Sequence, residues 1–321
     1  MLFRSGPTSF VHATFESVAD FSQSGFGGDV NFRAVRFNGP VEFQAAQFAA
    51  RAFFIKTRFT AGADFWRCRF LGVTHFGEAV FEDVTFFGDT HFDQECSFQL
   101  AVFHDLAYFG LTAFAASADF TQCSALKDMR FEAVALNTVS LLDMDLRRVQ
   151  FINCRWPKVG ARHAVYDEVA AKDPARVEAV YVRLKHIARA EQNDALFSDW
   201  HFGQMEMRRK AHPARRHNPV SLTNLYRLLS GYGERPARAG LALVCLLAAL
   251  FASAWLACSA PDGGGLSFAQ ALDATLRLPL FADGPYAAAP LAHAWLLALG
   301  RIAVPVQVLL LAFALRNAFR R

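Results

Sequence analysis

The side chains that could do chemistry in this sequence are few and scattered. His75 and His91 each stand directly before a Phe, and as imidazoles they are candidate metal ligands. A metal centre needs three or four donors at fixed spacing, and no third ligand stands near either. Six cysteines, at positions 68, 96, 123, 154, 245 and 258, include no C-x-x-C pair and no zinc-type spacing. The start MLFRSGPTSF carries no apolar leader segment. The N-terminal half is therefore expected in the cytoplasm, with its cysteines as free thiols. Tyr232 and Glu234, in the stretch SGYGERP (230–236), could be catalytic, but Gly231, Gly233 and Pro236 around them are turn residues. No nucleophile–base pair and no phosphate loop occurs. No catalytic residue, metal or cofactor is assigned, and the sequence does not read as an enzyme.

The remaining chemistry is charge. Residues 1–155 carry 13 Lys/Arg against 17 Asp/Glu, whereas residues 156–321 carry 20 against 12. The densest basic run is MRRKAHPARRH (207–217), with Arg208, Arg209, Lys210, Arg215 and Arg216. Such a run can bind nucleic acid. Here it precedes a long apolar stretch, together with Arg227, Arg235 and Arg238. Basic clusters beside apolar spans favour the cytoplasmic side and anionic lipid headgroups. Lipid contact is the expectation, and nucleic-acid binding is not.

These groups hang on a regular frame. One Phe recurs every eleven residues as Phe10, Phe21, Phe32, Phe43, Phe54, Phe65, Phe76, Phe87, Phe98, Phe109 and Phe120. A second series, Phe15, Phe26, Phe37 and onward to Phe114, interleaves with it, giving 21 positions with steps of five and six. Self-similarity at a fixed period marks a repeat architecture. The residue two before each Phe is small or β-branched, as in Thr8, Ala19, Val30, Val41, Ala63 and Cys96, and the one between is often polar, as in Asp20, Asn31, Glu42 and Asp64. Positions i and i−2 share a face only in extended chain. A helical supercoil of period eleven is excluded by angle, because steps of five and six turn a helix by about 140° and 240° and split the Phe into two stripes. The pattern predicts short strands joined by corners, wound into a coil whose rungs stack about 4.8 Å apart. A coil starting almost at residue 1 also leaves a strand edge to be covered. From Leu126 the count reads as a plain five: Leu126, Phe131, Leu136, Leu141, Leu146 and Phe151.

This pattern resembles the pentapeptide-repeat family over about residues 8–154. The resemblance implies a right-handed parallel β-helix with four faces, lined by the central Phe and the preceding small residue. The five-and-six spacing makes each coil 22 residues instead of twenty. Some soluble members, similar to gyrase inhibitors, are thought to imitate DNA with an acidic surface. Here Arg33, Arg36, Arg51, Lys56, Arg58, Arg67 and Arg69 interrupt the acidity, so mimicry is not expected.

Beyond Trp156-Pro157 the period vanishes. Asp173-Pro174 reads as a helix N-cap and first turn, followed by Val177, Val180, Tyr181, Leu184, Ile187 and Ala188 at helical spacing. A second helix is expected over about Asp194–Arg209. This segment and SGYGERP resemble the linker in a subgroup of pentapeptide-repeat membrane proteins that ends in a two-span hairpin, a layout weakly similar to ion channels. Residues 239–258 are 20 residues without a charge, the length that crosses the hydrocarbon layer, with Trp255 suited to the far interface. Residues 302–315 give a shorter second span, which reaches full length only by including Arg301. Between them, 266–281 reads as an amphipathic helix that lies on the outer leaflet or dips inward. Arg277, Arg301 and Gln307 are the polar candidates for a pore or an intramembrane contact, and Arg301 is expected to snorkel.

The expected organisation is an all-β parallel β-helix over 1–154, a helical adaptor with a basic juxtamembrane segment over 155–237, and a two-span membrane domain over 238–321. Both termini are expected on the cytoplasmic side of the inner membrane. The expected role is a membrane-anchored scaffold or interaction protein without catalytic activity. Its expected partners are the lipid bilayer, an unidentified protein and further copies of itself. The alternative is a subunit of an oligomeric channel-like or transport-associated protein.

Overall fold

A computed structural model describes residues 3–4, 6–212, 218, 221–258, 275 and 291–319. The chain divides into two compact units, Met1–Ala211 and His212–Arg321. The segment 155–237 is shared between them.

The first unit begins with a β-solenoid of about seven turns. Its strands, mostly two residues long, form four parallel sheets of six, seven, six and seven strands. Neighbouring strands lie 22 residues apart in register, as in Val30↔Ala52 and Phe37↔Phe59. Peptide groups therefore pair from coil to coil: the Phe32 N–H donates to the Phe53 carbonyl at 2.7 Å and Phe43 to Asp64 at 2.7 Å. The five-residue steps form the tight corners. In each, an N–H reaches back to the carbonyl of the Phe three residues earlier, as Ala46 does to Phe43 at 2.8 Å. The third residue of the turn is left-handed, with Ala34, Ala45, Lys56 and Arg67 at φ 54–58°. That is the mark of a type II turn. The six-residue steps place the additional residue in the alternate corners.

Inside, the rings stack in columns. Phe32, Phe54 and Phe76 lie face to face at 5.0 and 4.7 Å, while Phe54 meets Phe65 of the next column edge-on at 5.7 Å and 89°. Offset and edge-on contacts are the favoured aromatic geometries. Phe32, Phe43, Phe54, Phe65, Phe76, Phe87, Phe98, Phe109 and Phe120 are all sealed from solvent. Phe21 is half-buried: it stacks on Phe43 on one side, and no described ring stacks on its other side. The small inward residues have a second role. Thr57, Thr90 and Thr112 donate their hydroxyls to the carbonyls of Phe32, Phe65 and Phe87 at 2.6–2.8 Å. Each satisfies both its own polarity and a buried acceptor.

One expectation is corrected. Leu126 is not the inward residue; it is 55% exposed, and Ala125 is buried in the column above Phe103. The five-and-six count therefore continues through Ala125 to Phe131. The plain five starts only at Phe131, where the register shortens to 21 and then 20 residues, Ala118↔Val139 and Met129↔Val149. The apolar type of Leu126 disguised a frame that the backbone corner still keeps.

Helices close the far end of the coil: α1 (Tyr166–Val169), α2 (Pro174–Ala190) and α3 (Asp194–Ala211). A small antiparallel hairpin, Lys158–Val159 with Arg162–His163, precedes them. The Asp173 carboxylate caps α2 by accepting the Ala175 N–H at 3.1 Å, with Pro174 in the first turn. The aromatic column continues into this cap. Phe131 stacks on Phe151 at 5.6 Å, Phe151 meets Trp156 at 5.0 Å, and Trp156 meets Trp200 at 4.9 Å.

The second unit holds α4 (Leu222–Ser230), α5 (Pro236–Cys258) and α6 (Leu291–Phe319). The α5 and α6 helices run antiparallel, with Gln307 against Ala239 and Gly300 against Leu250. Both are long and apolar enough to cross a membrane. The second helix is 29 residues long and contains Pro305, so Arg301 lies well inside a continuous helix. The amphipathic stretch 266–281, with Arg277, falls outside the described residues apart from Thr275.

Candidate functional site

The reactive residues of the coil are dispersed or sealed. His75 and His91 lie on different sheets. The His75 ring stacks on Phe53 at 5.6 Å, and burial and Arg33 lower its pKa. Among the described residues no three His, Cys, Asp or Glu side chains come together as a metal site. Cys68, Cys96 and Cys123 fill buried inward positions, and burial pushes their thiols far up, which removes the reactive thiolate. On the outside, cations pair with carboxylates on a neighbouring coil: Arg51 with Asp29 at 2.5 Å, Arg58 with Glu82 at 2.6 Å and Arg67 with Asp89 at 3.2 Å. The coil is thus laced by mixed charge along its length and presents no continuous acidic wall.

The densest polar network lies where coil meets cap, at residues the sequence did not single out for chemistry. Arg162 places its guanidinium on both oxygens of Glu168, at 2.5 and 2.6 Å, and reaches the Tyr181 hydroxyl at 3.3 Å. Tyr181 donates to Glu168 and accepts the Val165 N–H at 3.1 Å. Arg162 and Glu168 side chains are only 3% and 4% exposed. Burial drives the Tyr181 hydroxyl pKa up, and the Glu168 charge drives it further. Next to it, Asp167 accepts the Ser140 hydroxyl at 2.6 Å and the Leu141 N–H at 2.9 Å. Its pKa is raised, because burial outweighs those bonds. The network is closed on itself and fixes the cap to the last coil. A spacing signal for it was missing, since its members come from a hairpin, a one-turn helix and a helix stripe.

Beside the network opens a cleft of about 430 Å³, lined by Asp119, Gln122, Ser140, Tyr166, Lys172 and Arg176 among others. Arg176 is occupied by Asp143 at 2.5 Å. The lining carries charges of both signs.

The basic run is partly consumed by its own unit. Arg209 is bound to Glu206 at 2.6 Å with 12% of its side chain exposed, Arg208 meets Glu178 at 3.2 Å, and Lys210 stands 3.8 Å from Glu168. Arg215 and Arg216 lie outside the described residues. In the second unit, Gln307 is buried and donates to the Leu229 and Ala239 carbonyls at 3.1 and 2.8 Å. Asn317 donates to the Gly233 carbonyl at 3.0 Å. The SGYGERP turn is buried there, with Gly231 left-handed as the α4 C-cap and Tyr232 at φ 61°. Tyr232 and Glu234 are 1% and 5% exposed. Arg301 is half-buried, and Trp255 is 40% exposed near the end of α5.

Residues 26–69 and 65–112 match the family described as pentapeptide repeats (9 copies). No curated protein and no solved structure matches the chain. The matched residues lie wholly within the coil, which is a β-solenoid built from pentapeptide repeats.

Proposed function

We propose that this protein is a membrane-anchored β-helical scaffold, without catalytic activity, that presents the coil to partner proteins at the cytoplasmic face of the inner membrane. The observation that carries the reading is the outward turn of apolar residues on α5 and α6. Leu241, Val244, Ile302 and Leu309 are 59–67% exposed. Only 11% of the first candidate span and 17% of the second are buried within the protein, so the surroundings must supply the apolar cover. Arg227, Arg235, Arg238 and Arg316 flank the spans on one side, which supports cytoplasmic termini. Tags at the two termini test this arrangement. Both are expected to be reached by antibody in inside-out vesicles and neither in right-side-out vesicles; tags on opposite sides would overturn it.

A channel-like oligomer is the second reading, favoured by Arg301 within a long apolar helix. Gln307 supports it less, because its amide is satisfied inside one copy. A monomer in detergent would end this reading, since one hairpin encloses no pore.

A further inference from the structure

We infer that the outer face carrying Trp66, Phe86 and Tyr108 binds an arginine- or lysine-bearing peptide segment of a partner protein. This names a partner chemistry for the scaffold reading and rests on it only for the cellular setting.

One outward column runs in register through Glu42, Asp64, Phe86, Tyr108 and Arg130. The column beside it runs through Trp66, Gly88, Gly110 and Glu132. The glycines make room for rings that lie down over the backbone. A Cβ on Gly88 would fall 2.3 Å from the Trp66 ring, and one on Gly110 would fall 2.1 Å from the Tyr108 hydroxyl. Trp66 and Tyr108 are parallel within 7°, their centroids 6.5 Å apart, and Phe86 stands edge-on to Tyr108 at 6.4 Å. Trp66 and Phe86 are each 37% exposed. The result is a small aromatic platform open to solvent.

Charge decides what it fits. Elsewhere on the coil the half-buried, outward ring of Phe53 is already covered by Arg33 at 4.4 Å and Arg51 at 5.7 Å. No described cation covers the platform rings. The nearby cations are engaged: Arg67 with Asp89, Lys127 with Asp105 and Arg130 with Asp128. Glu42 and Asp64 at one end and Glu132 at the other have no ion-pair partner among the described residues. Asp64 accepts the Gln44 amide at 2.6 Å and the Trp66 N–H at 2.8 Å, and Glu132 accepts the Tyr108 hydroxyl at 3.0 Å, which orients both carboxylates and leaves their charge without a counter-cation. Open aromatic faces bracketed by such carboxylates attract a cation twice, through the ring and through the charge. A sugar would stack on the rings but leave the carboxylates unneutralised, and a nucleic acid would be repelled. Asp64 and Glu132 are three rungs apart, about 14 Å, the reach of four or five extended residues. The matching ligand is a short extended segment with cations near both ends.

The test uses the full chain in phosphatidylcholine nanodiscs and a fluorescent (Arg-Gly)5 peptide, read by anisotropy. Trp66→Ala is expected to weaken binding roughly five-fold, although it changes no charge, and Trp66→Ala/Phe86→Ala to weaken it further. Glu42→Gln/Asp64→Asn is expected to weaken it and flatten its salt dependence, while Glu78→Gln/Asp93→Asn, on other parts of the coil, leaves it unchanged. Equal binding by Trp66→Ala and wild type would overturn the inference, because the peptide would then sense only general charge. Binding of maltohexaose that is lost in Trp66→Ala, with no peptide binding, would overturn it in favour of a carbohydrate surface. Circular dichroism of each variant verifies that the coil persists, and membrane insertion of the hairpin is read separately, so failure here leaves the anchoring reading intact.

Discussion

The coil and the helical hairpin solve the burial of apolar side chains in opposite directions. In the coil every Phe of the two inward series from Phe32 to Phe109 is sealed inside and the charges face out in paired ladders. In the hairpin the buried apolar cluster between the helices is Leu250 with Val304, and most large apolar residues among those described face away from the protein. The difference explains why one half of the sequence is strictly periodic and the other is not. A rung of the coil must hand its N–H and carbonyl groups to the next rung, so each residue is locked to a partner about 22 positions away. A helix satisfies its backbone within itself, and a lipid surround accepts any apolar side chain in any order.

Substitutions can break or sharpen this contrast. The largest effect is expected at Ala125, whose buried place makes Ala125→Asp an unpaired buried charge. That variant is expected to lose the coil's cooperative unfolding, while Leu126→Asp, one residue on and exposed, stays within about 0.5 kcal/mol of wild type. Urea unfolding of the two variants, followed by circular dichroism, distinguishes the frames directly. Phe76→Ala, in the middle of a stack, is expected to cost about 3–5 kcal/mol. An outward hairpin change, Ile302→Ala, is expected to be near neutral, so equal costs would erase the contrast. Glu168→Gln leaves the buried Arg162 without its counter-charge and is expected to cost about 3 kcal/mol, detached in effect from the ring stack.

A pH effect comes next. Burial, with Lys185 nearby, holds His201 at about 4 in place of its ordinary 6.5. A base depressed in the folded state contributes stability that is complete above 6.5 and is lost as pH falls from 6.5 toward 4. His201→Gln is expected to flatten that part of the stability–pH curve, and an unchanged slope would assign the acid sensitivity elsewhere. The smallest effect concerns the corners. Ala45 is exposed and left-handed at φ 56°. Ala45→Gly relieves that strain but loosens the unfolded chain, and a net gain of about 0.5 kcal/mol is expected in thermal melts.

The coil was legible because its Phe spacing is the register itself. Even the 22-residue rung follows from the two interleaved Phe series. Leu126 was misread because it is apolar and happens to stand five residues before Phe131, while the true inward residue, Ala125, carries no aromatic mark. The Asp173-Pro174 start of α2 was legible from local capping chemistry. The Arg162–Glu168–Tyr181 network was not, since tertiary packing alone brings those elements together. Likewise the basic run is a cluster of cations in sequence, but its sequence did not reveal that Glu206 and Glu178 would take Arg209 and Arg208. The exposed aromatic platform was hidden for the opposite reason: Trp66 and Phe86 sit one position away from inward Phe residues, and composition counts all aromatics alike.

The contrast between a sealed coil and a hairpin with outward apolar faces is tested most directly by alkaline carbonate extraction of membranes from cells expressing the full chain. The protein is predicted to stay in the membrane pellet and to be released only by detergent. Release of the folded chain into the carbonate supernatant would contradict the account, because the outward apolar faces of α5 and α6 would then be covered by something other than lipid.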